Sequence, residues 1–238
     1  MAKKKLLIIA VCIAALTACL FGFAACDEPL TVLEQLDEKV SSRQTTQYIG
    51  QTDDAHVSVS TLDRETVFVA DGSVGDMETV TSVIVTLPQI AEESTYTYAL
   101  RGADGKVEGT LSRSVIGNRL VAKIENASAL GALQTLTVTD SAAPDAPITF
   151  ELADKMEGAI TPLQALDAAY NHFKAEIDAE LAAEGGMQRE IYIRFVNGKT
   201  DMDSEYYWYV SFVADRNDDM SVLLDPLTGE VVTSRVRP

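Results

Sequence analysis

The chain has 238 residues, of which 47% are hydrophobic and 23% charged, the make-up of an ordinary globular protein able to build a real core. Its formal net charge is −17, and the only charges before Cys26 are Lys3, Lys4 and Lys5, so the remainder carries 16 basic against 36 acidic side chains, net −20. A surface that acidic repels phosphate backbones and argues against nucleic acid as a partner. It is read as solubility first and as attraction for cationic partners second.

The three lysines precede Leu6 to Phe23, an uncharged stretch dominated by apolar residues. This is a targeting segment, to be set aside before any fold reasoning. An ordinary cleaved signal peptide and an uncleaved membrane anchor are both compatible with its length. Phe23-Ala24-Ala25-Cys26 resembles the lipobox of bacterial lipoproteins: small residues precede a cysteine, and Asp27, Glu28 and Pro29 turn the chain polar at once. Leu16-Thr17-Ala18-Cys19 fits that pattern too, but cutting there leaves Leu20-Phe21-Gly22-Phe23 at the mature terminus, so Cys26 is the favoured lipid-attachment residue. The resemblance implies an extracytoplasmic protein held to the bacterial cell membrane by two acyl chains, enough for stable attachment. All three cysteines (Cys12, Cys19, Cys26) lie at or before that point, so the mature protein uses no disulfide.

Residues 26–55 read as a lipid-anchored short helix and linker. Leu30, Leu33, Leu36 and Val40 recur at helical spacing, and Ser41 to Ala55 is polar and mostly without period. From His56 the pattern changes to short β-branched runs, among them HVSVSTL, ETVFVADG, TSVIVTL, STYTYALRG and PITFELA, separated by turn residues. Strict alternation, as in Tyr96, Tyr98 and Leu100, means one buried and one wet face. Residues 56–155 are therefore expected to form an all-β, sandwich-like domain.

Residues 156–238 read differently. Thr161-Pro162-Leu163-Gln164 is a capping box with proline at the first helical position. Leu163, Leu166, Tyr170, Phe173, Ile177 and Leu181 then make one apolar stripe, predicting a single helix over Thr161–Ala183. Strands follow at Glu190–Val196, Tyr206–Ala214, Met220–Asp225 and Glu230–Val236, in the order of an antiparallel meander. The fold class expected for the whole chain is α+β: the β-sandwich, then one helix packed on an antiparallel sheet.

Ile160 to Ala169 at the helix start, the aromatic strand Tyr206-Tyr207-Trp208-Tyr209-Val210, and Leu223 to Val232 with its Asp-Pro-Leu-Thr-Gly turn together resemble a PepSY domain, a small module of bacterial propeptides and secreted or membrane-tethered proteins. Members commonly carry alanine where Pro226 stands here. The match covers about a third of the chain. It implies a peptidase-modulating or related protein-binding role at the cell envelope, with an extracytoplasmic peptidase or peptide as partner.

No HExxH, GxSxG, SxxK or P-loop pattern is present, so no catalytic residue, cofactor or metal site is expected. His56 and His172 stand apart and supply no ligand cluster. Asp215 to Asp219 begins like a calcium loop but has Met220 in place of the glycine and Pro226 in place of the glutamate. A second acidic loop carries Asp201, Asp203 and Glu205; only convergence of the two loops could hold a cation. Tyr206, Tyr207, Trp208 and Tyr209 alternate across the sheet, so one pair faces the helix and the other does not; core packing with amphipathic cover is the first reading, and an open aromatic face or edge that receives a peptide by strand addition is the second. The expected function is a non-catalytic, lipid-anchored protein-binding lipoprotein. The alternative is a structural or ligand-binding envelope component with its site in the β-domain.

Overall fold

A computed structural model describes residues 30–67, 71–125, 127–197, 205–214 and 219–236. The expected targeting segment with Cys12, Cys19 and Cys26, and most of both acidic loops, lie outside the described residues. No described helix is long and apolar enough to cross a membrane. The described residues from Leu33 onward form one compact unit.

The expected α+β class is overturned. The described chain forms one mixed, 13-stranded sheet with short helices only. The reason lies in the stretch expected to be a linker. After helix α1 (Val32–Asp37), Val40–Gln51 is a 12-residue strand, β1, and both of its edges are used. It pairs antiparallel with β2 (His56–Glu65) and parallel with β10 (Glu190–Asn197), through Val40↔Ile191, Ser42↔Tyr192 and Arg43↔Ile193. No gap therefore separates the sandwich-like strands from the C-terminal ones, and the latter do not stand as a separate α+β layer.

On one side of β1 the order runs β2, β3 (Met77–Thr86), β6 (Arg119–Ile124), β5 (Lys106–Arg113), β4 (Tyr96–Gly102), β7 (Leu133–Asp140) and β8 (Ile148–Glu151). The two-residue β9 (Ala153–Asp154) follows β8 immediately and pairs with Tyr48 and Ile49 of β1. The ladder that leaves β1 through β2 thus returns to it, and the ring encloses Val57, Val59, Val83, Val85, Leu100, Leu120, Leu136 and Phe150. Alternation in these strands supplies the inward residues, as the sequence pattern requires. Of the run Glu65–Gly72, expected to be a strand, Glu65 ends β2 and the chain bends at Thr66 and Val67, while residues 68–70 lie outside the described residues.

On the other side of β1, β10 continues into β11 (Tyr206–Val213), β12 (Asp219–Leu224) and β13 (Val231–Val236), each antiparallel to the last. Two helices cover one face, α2 (Pro162–His172) and α3 (Lys174–Leu181), where one was expected. The break falls at Phe173, whose ψ of 24° departs from helical geometry. The capping box forms as read: the Thr161 hydroxyl accepts from Gln164 N at 3.2 Å, and Gln164 Oε1 accepts from Thr161 N at 2.8 Å. The buried face is Ala165, Leu166, Ala169, Tyr170, Phe173 and Ile177. Leu163, counted in the expected stripe, is 43% exposed. Burying the larger side chains contributes about 1.5–3 kcal/mol each before entropy is subtracted.

Candidate partner-binding edge and the strapped seam

Alternation along β11 divides the predicted aromatic residues. Trp208 is fully buried under the helices, edge-on to Phe195 with ring centroids 5.0 Å apart, and its indole Nε1 donates to Ile160 O at 3.1 Å. Tyr206 lies on the same side, stacked on Phe195 at 5.2 Å, and burial raises its pKa. These two are packing residues. Tyr207 and Tyr209 lie on the opposite face, half-buried, beside Leu223 and Thr233 in the register of the strands. Tyr207 donates to Glu205 at 2.6 Å, and that bond raises its pKa.

The Asp-Pro-Leu-Thr-Gly turn draws the motif residues together. Asp225 Oδ1 accepts from Leu227 N, Thr228 N and the Thr228 hydroxyl at 2.8–3.1 Å, and the Thr228 N–H, first among these, lowers its pKa. Pro226 O accepts from Ile160 N at 2.7 Å, tying the turn to the start of α2. Gly229 has φ +75°, and a Cβ there would meet Ile160 Cδ1 at 3.2 Å. Ile160, Trp208 and Asp225–Gly229 are thus one assembly. It aims β13 along the outer edge of the sheet.

β13 is exposed at all six positions, with Val232 at 52% and Val236 at 55%. It pairs only with β12 among the described residues, so its other edge offers a row of backbone donors and acceptors. Val236 and Ser234 lie opposite Met220 and Val222, on the helix side, while Thr233 and Arg235 lie opposite Leu223 and Ser221, on the open side. Comparison with family models, with curated proteins and with solved structures finds no match for this chain.

The near end of the open face is closed by backbone rather than by a helix. Asp71–Asp76, between β2 and β3, crosses the seam where β2, β1 and β10 meet. Asp71 N and Gly72 N donate to Glu190 Oε1 at 3.2 and 3.3 Å, Gly75 N donates to Glu65 Oε1, and the Lys39 ammonium donates to Gly72 O. Gly72 has φ +80°, and a Cβ there would stand 2.8 Å from Gln188 O, so only glycine lets this strap approach so closely. Glu190 is fully buried and Glu65 is 6% exposed. Among the described residues, the Oε2 atoms of both are buried without a hydrogen-bond partner. Burial, and then the charge of Glu65, raises the pKa of Glu190; burial pushes Tyr192 up to about 12.

Sequence pattern missed this seam. Glu190 sits in the solvent phase of the alternating run EIYIRFV, and Gln44 and Gln47 sit in what read as linker. Only the strap, 119 residues from Glu190 in the chain, makes that phase an interior. Elsewhere His172 is exposed and edge-on to Phe173, and His56 on β2 has its pKa lowered by burial and by Arg119. Among the described residues no group of three or more His, Cys, Asp or Glu could hold a metal. The ring interior is filled with the side chains named above.

Proposed function

We propose that the protein is a non-catalytic, lipid-anchored extracytoplasmic lipoprotein that receives an extended segment of a partner protein on the free edge of β13, a protein-binding or peptidase-modulating role of the PepSY type. The observation that carries this reading is β13 itself: an edge strand exposed at every position, with three half-exposed valines and no proline, lysine or covering loop among its described residues to blunt it. Strand addition joins the partner's backbone to the unpaired edge, while alternate side chains select it. Those on the helix side meet Val236 and Ser234, so the segment carries an apolar side chain opposite Val236. The net −20 of the mature chain steers cationic segments toward it and repels acidic ones.

Calorimetry with synthetic extended peptides tests this. One peptide alternates valine with lysine, the other valine with glutamate, and each is titrated into the full-length protein and its Val236→Lys variant. The lysine peptide is expected to bind the wild type, the glutamate peptide to bind at least tenfold more weakly, and Val236→Lys to abolish binding. Failure of both peptides to bind, or equal binding by the variant, refutes the reading.

A further inference from the structure

We infer that β13 also pairs with β13 of a second copy of this chain, antiparallel about a two-fold axis at Ser234, so that a second copy and a partner segment compete for one edge. The pairing rests on the free edge of β13 and not on the function proposed above.

Symmetry leaves few registers open. When a strand pairs antiparallel with its own copy, opposite residues share a face, so the axis stands normal to the sheet and one residue faces its own equivalent. Centring on Val232 or Arg235 leaves half of β13 with nothing opposite, and Arg235 as centre also opposes two guanidinium groups. Centring on Thr233 sets Val231 against Arg235 and Val232 against Ser234. Ser234 as centre joins apolar to apolar: Val232 meets Val236 of the second copy at either end of the contact, and Thr233 meets Arg235.

The faces agree with that register. Ser234 and Val236 lie on the helix side, opposite Val222 and Met220, and alternation puts Val232 there too. The two valines are half-exposed in a single copy, and the pairing covers them. On the open side, Arg235 forms no ion pair among the described residues. Beside it is a groove of about 540 Å³ lined by Tyr209, Ser221, Leu223 and Thr233. Arg235 of the second copy stands opposite Thr233 at the rim of this groove, with Leu223 and then Tyr209 next across the sheet. Hydroxyl groups there accept from a guanidinium, and the Tyr209 ring attracts it. The two Arg235 side chains occupy diagonal positions, not opposite ones.

Charge makes the two occupants of the edge respond oppositely to salt. Each copy carries net −20 after Cys26, which opposes the pairing at long range. β13 itself carries no carboxylate, so salt screens that repulsion without breaking a contact at the seam. For a cationic segment salt screens an attraction instead. The edge therefore passes from partner segment to second copy as ionic strength rises. A contact of one short strand is small for a stable interface, so this cover is exchangeable.

Cysteine trapping reads the register. Opposite residues of an antiparallel pair stand about 4.5–5.5 Å apart at Cα, within reach of a disulfide, whereas Thr233 and Arg235 are each diagonal to their own equivalents, about 7–8 Å away. Ser234→Cys, Thr233→Cys and Arg235→Cys are made in the full-length protein and oxidised in neutral detergent. The wild type measures any cross-linking through Cys12, Cys19 and Cys26. The bond at position 234 is expected to form at least tenfold faster than at 233 or 235, and faster still as NaCl is raised from about 0.05 to 0.5 M. Adding Val236→Lys, which acts twice by symmetry, is expected to slow it at least tenfold. Equal rates at the three positions, no bond at 234, a rate unmoved by Val236→Lys, or a rate that falls with salt overturns the inference. A bond at 234 in a protein that binds neither test peptide refutes the proposed function alone. Peptide binding without that bond refutes the pairing alone.

Discussion

Gln44 is where the two halves of the sheet are joined, and its replacement tests whether they fold as one. Backbone pairing of β1 with β10 ends at Arg43↔Ile193, and the register of β1 on β2 shifts between Gln44 and Thr46. The Gln44 side chain takes over from the ladder: Oε1 accepts from Phe195 N at 3.1 Å, while Nε2 donates to Gln47 Oε1 at 2.8 Å. Gln47 in turn donates to the Ser58 hydroxyl at 2.9 Å. Gln44→Ala leaves the buried Phe195 N–H without an acceptor, at a cost of about 1–3 kcal/mol, and loosens the Gln47 link besides. Gln44→Glu keeps an acceptor for Phe195 but sets a carboxylate against Gln47 Oε1, so it also destabilises. Urea unfolding followed by Trp208 fluorescence and by far-ultraviolet circular dichroism separates a local from a global loss. Trp208 is the sole tryptophan and reports the C-terminal strands alone. Coincident transitions, both shifted to lower urea, are expected. A change below about 0.5 kcal/mol, or a fluorescence transition that parts from the dichroism in the wild type, refutes the argument.

The helix face and the buried phenol give two further tests. Leu166→Ala, at a fully buried position, is expected to cost about 2–5 kcal/mol in thermal or urea unfolding. Leu163→Ala, at a position 43% exposed, should stay within about 0.5 kcal/mol; equal losses at both sites would restore the single-stripe helix. Because the folded chain raises the Tyr192 pKa from 10.0 to about 12, it holds that proton more tightly than the unfolded chain, so stability is lost as pH climbs through this interval. Tyr192→Phe is expected to flatten that loss, measured as the difference in urea midpoint between pH 9.5 and 11.5.

What could be read in the sequence was whatever alternation or capping announces. The strands around Tyr96–Leu100 and Ile148–Phe150, the Thr161 box and the β10–β13 meander all put apolar side chains at every second position or a capping residue at a helix start. The paired helix escaped because Phe173 continues the apolar stripe while its backbone leaves the helix. β1 escaped for the opposite reason. Ser41, Ser42, Gln44 and Gln47 are buried polar residues between the buried Val40 and Tyr48, and no apolar period marks a stretch whose interior side chains are amides and hydroxyls. The class of the fold turned on that one strand. Of the candidate edge, Tyr207, Tyr209 and the turn at Asp225 were legible, whereas the exposure of β13 depends on where the sheet ends.

The polar interior of β1 also explains why the sheet has a single register there. A strand with one apolar face is held in register because a one-residue slip turns that face to water. β1 is buried on both sides along most of its length, so a slip would expose no such face. It would instead part Gln44 from Phe195 N and Gln47 from Ser58, leaving several buried groups unpaired at about 1–3 kcal/mol each. Hydrogen bonds of side chains thus do here what apolar alternation does in the ring. The strap acts on the same seam. Glu65 ends β2 and Glu190 begins β10, on either side of β1, and both hold Asp71–Asp76 over it. A shift of β10 along β1 would part Glu190 from Asp71 N and Gly72 N, and a shift of β2 would part Glu65 from Gly75 N, so the strap locks the register that the glutamines select.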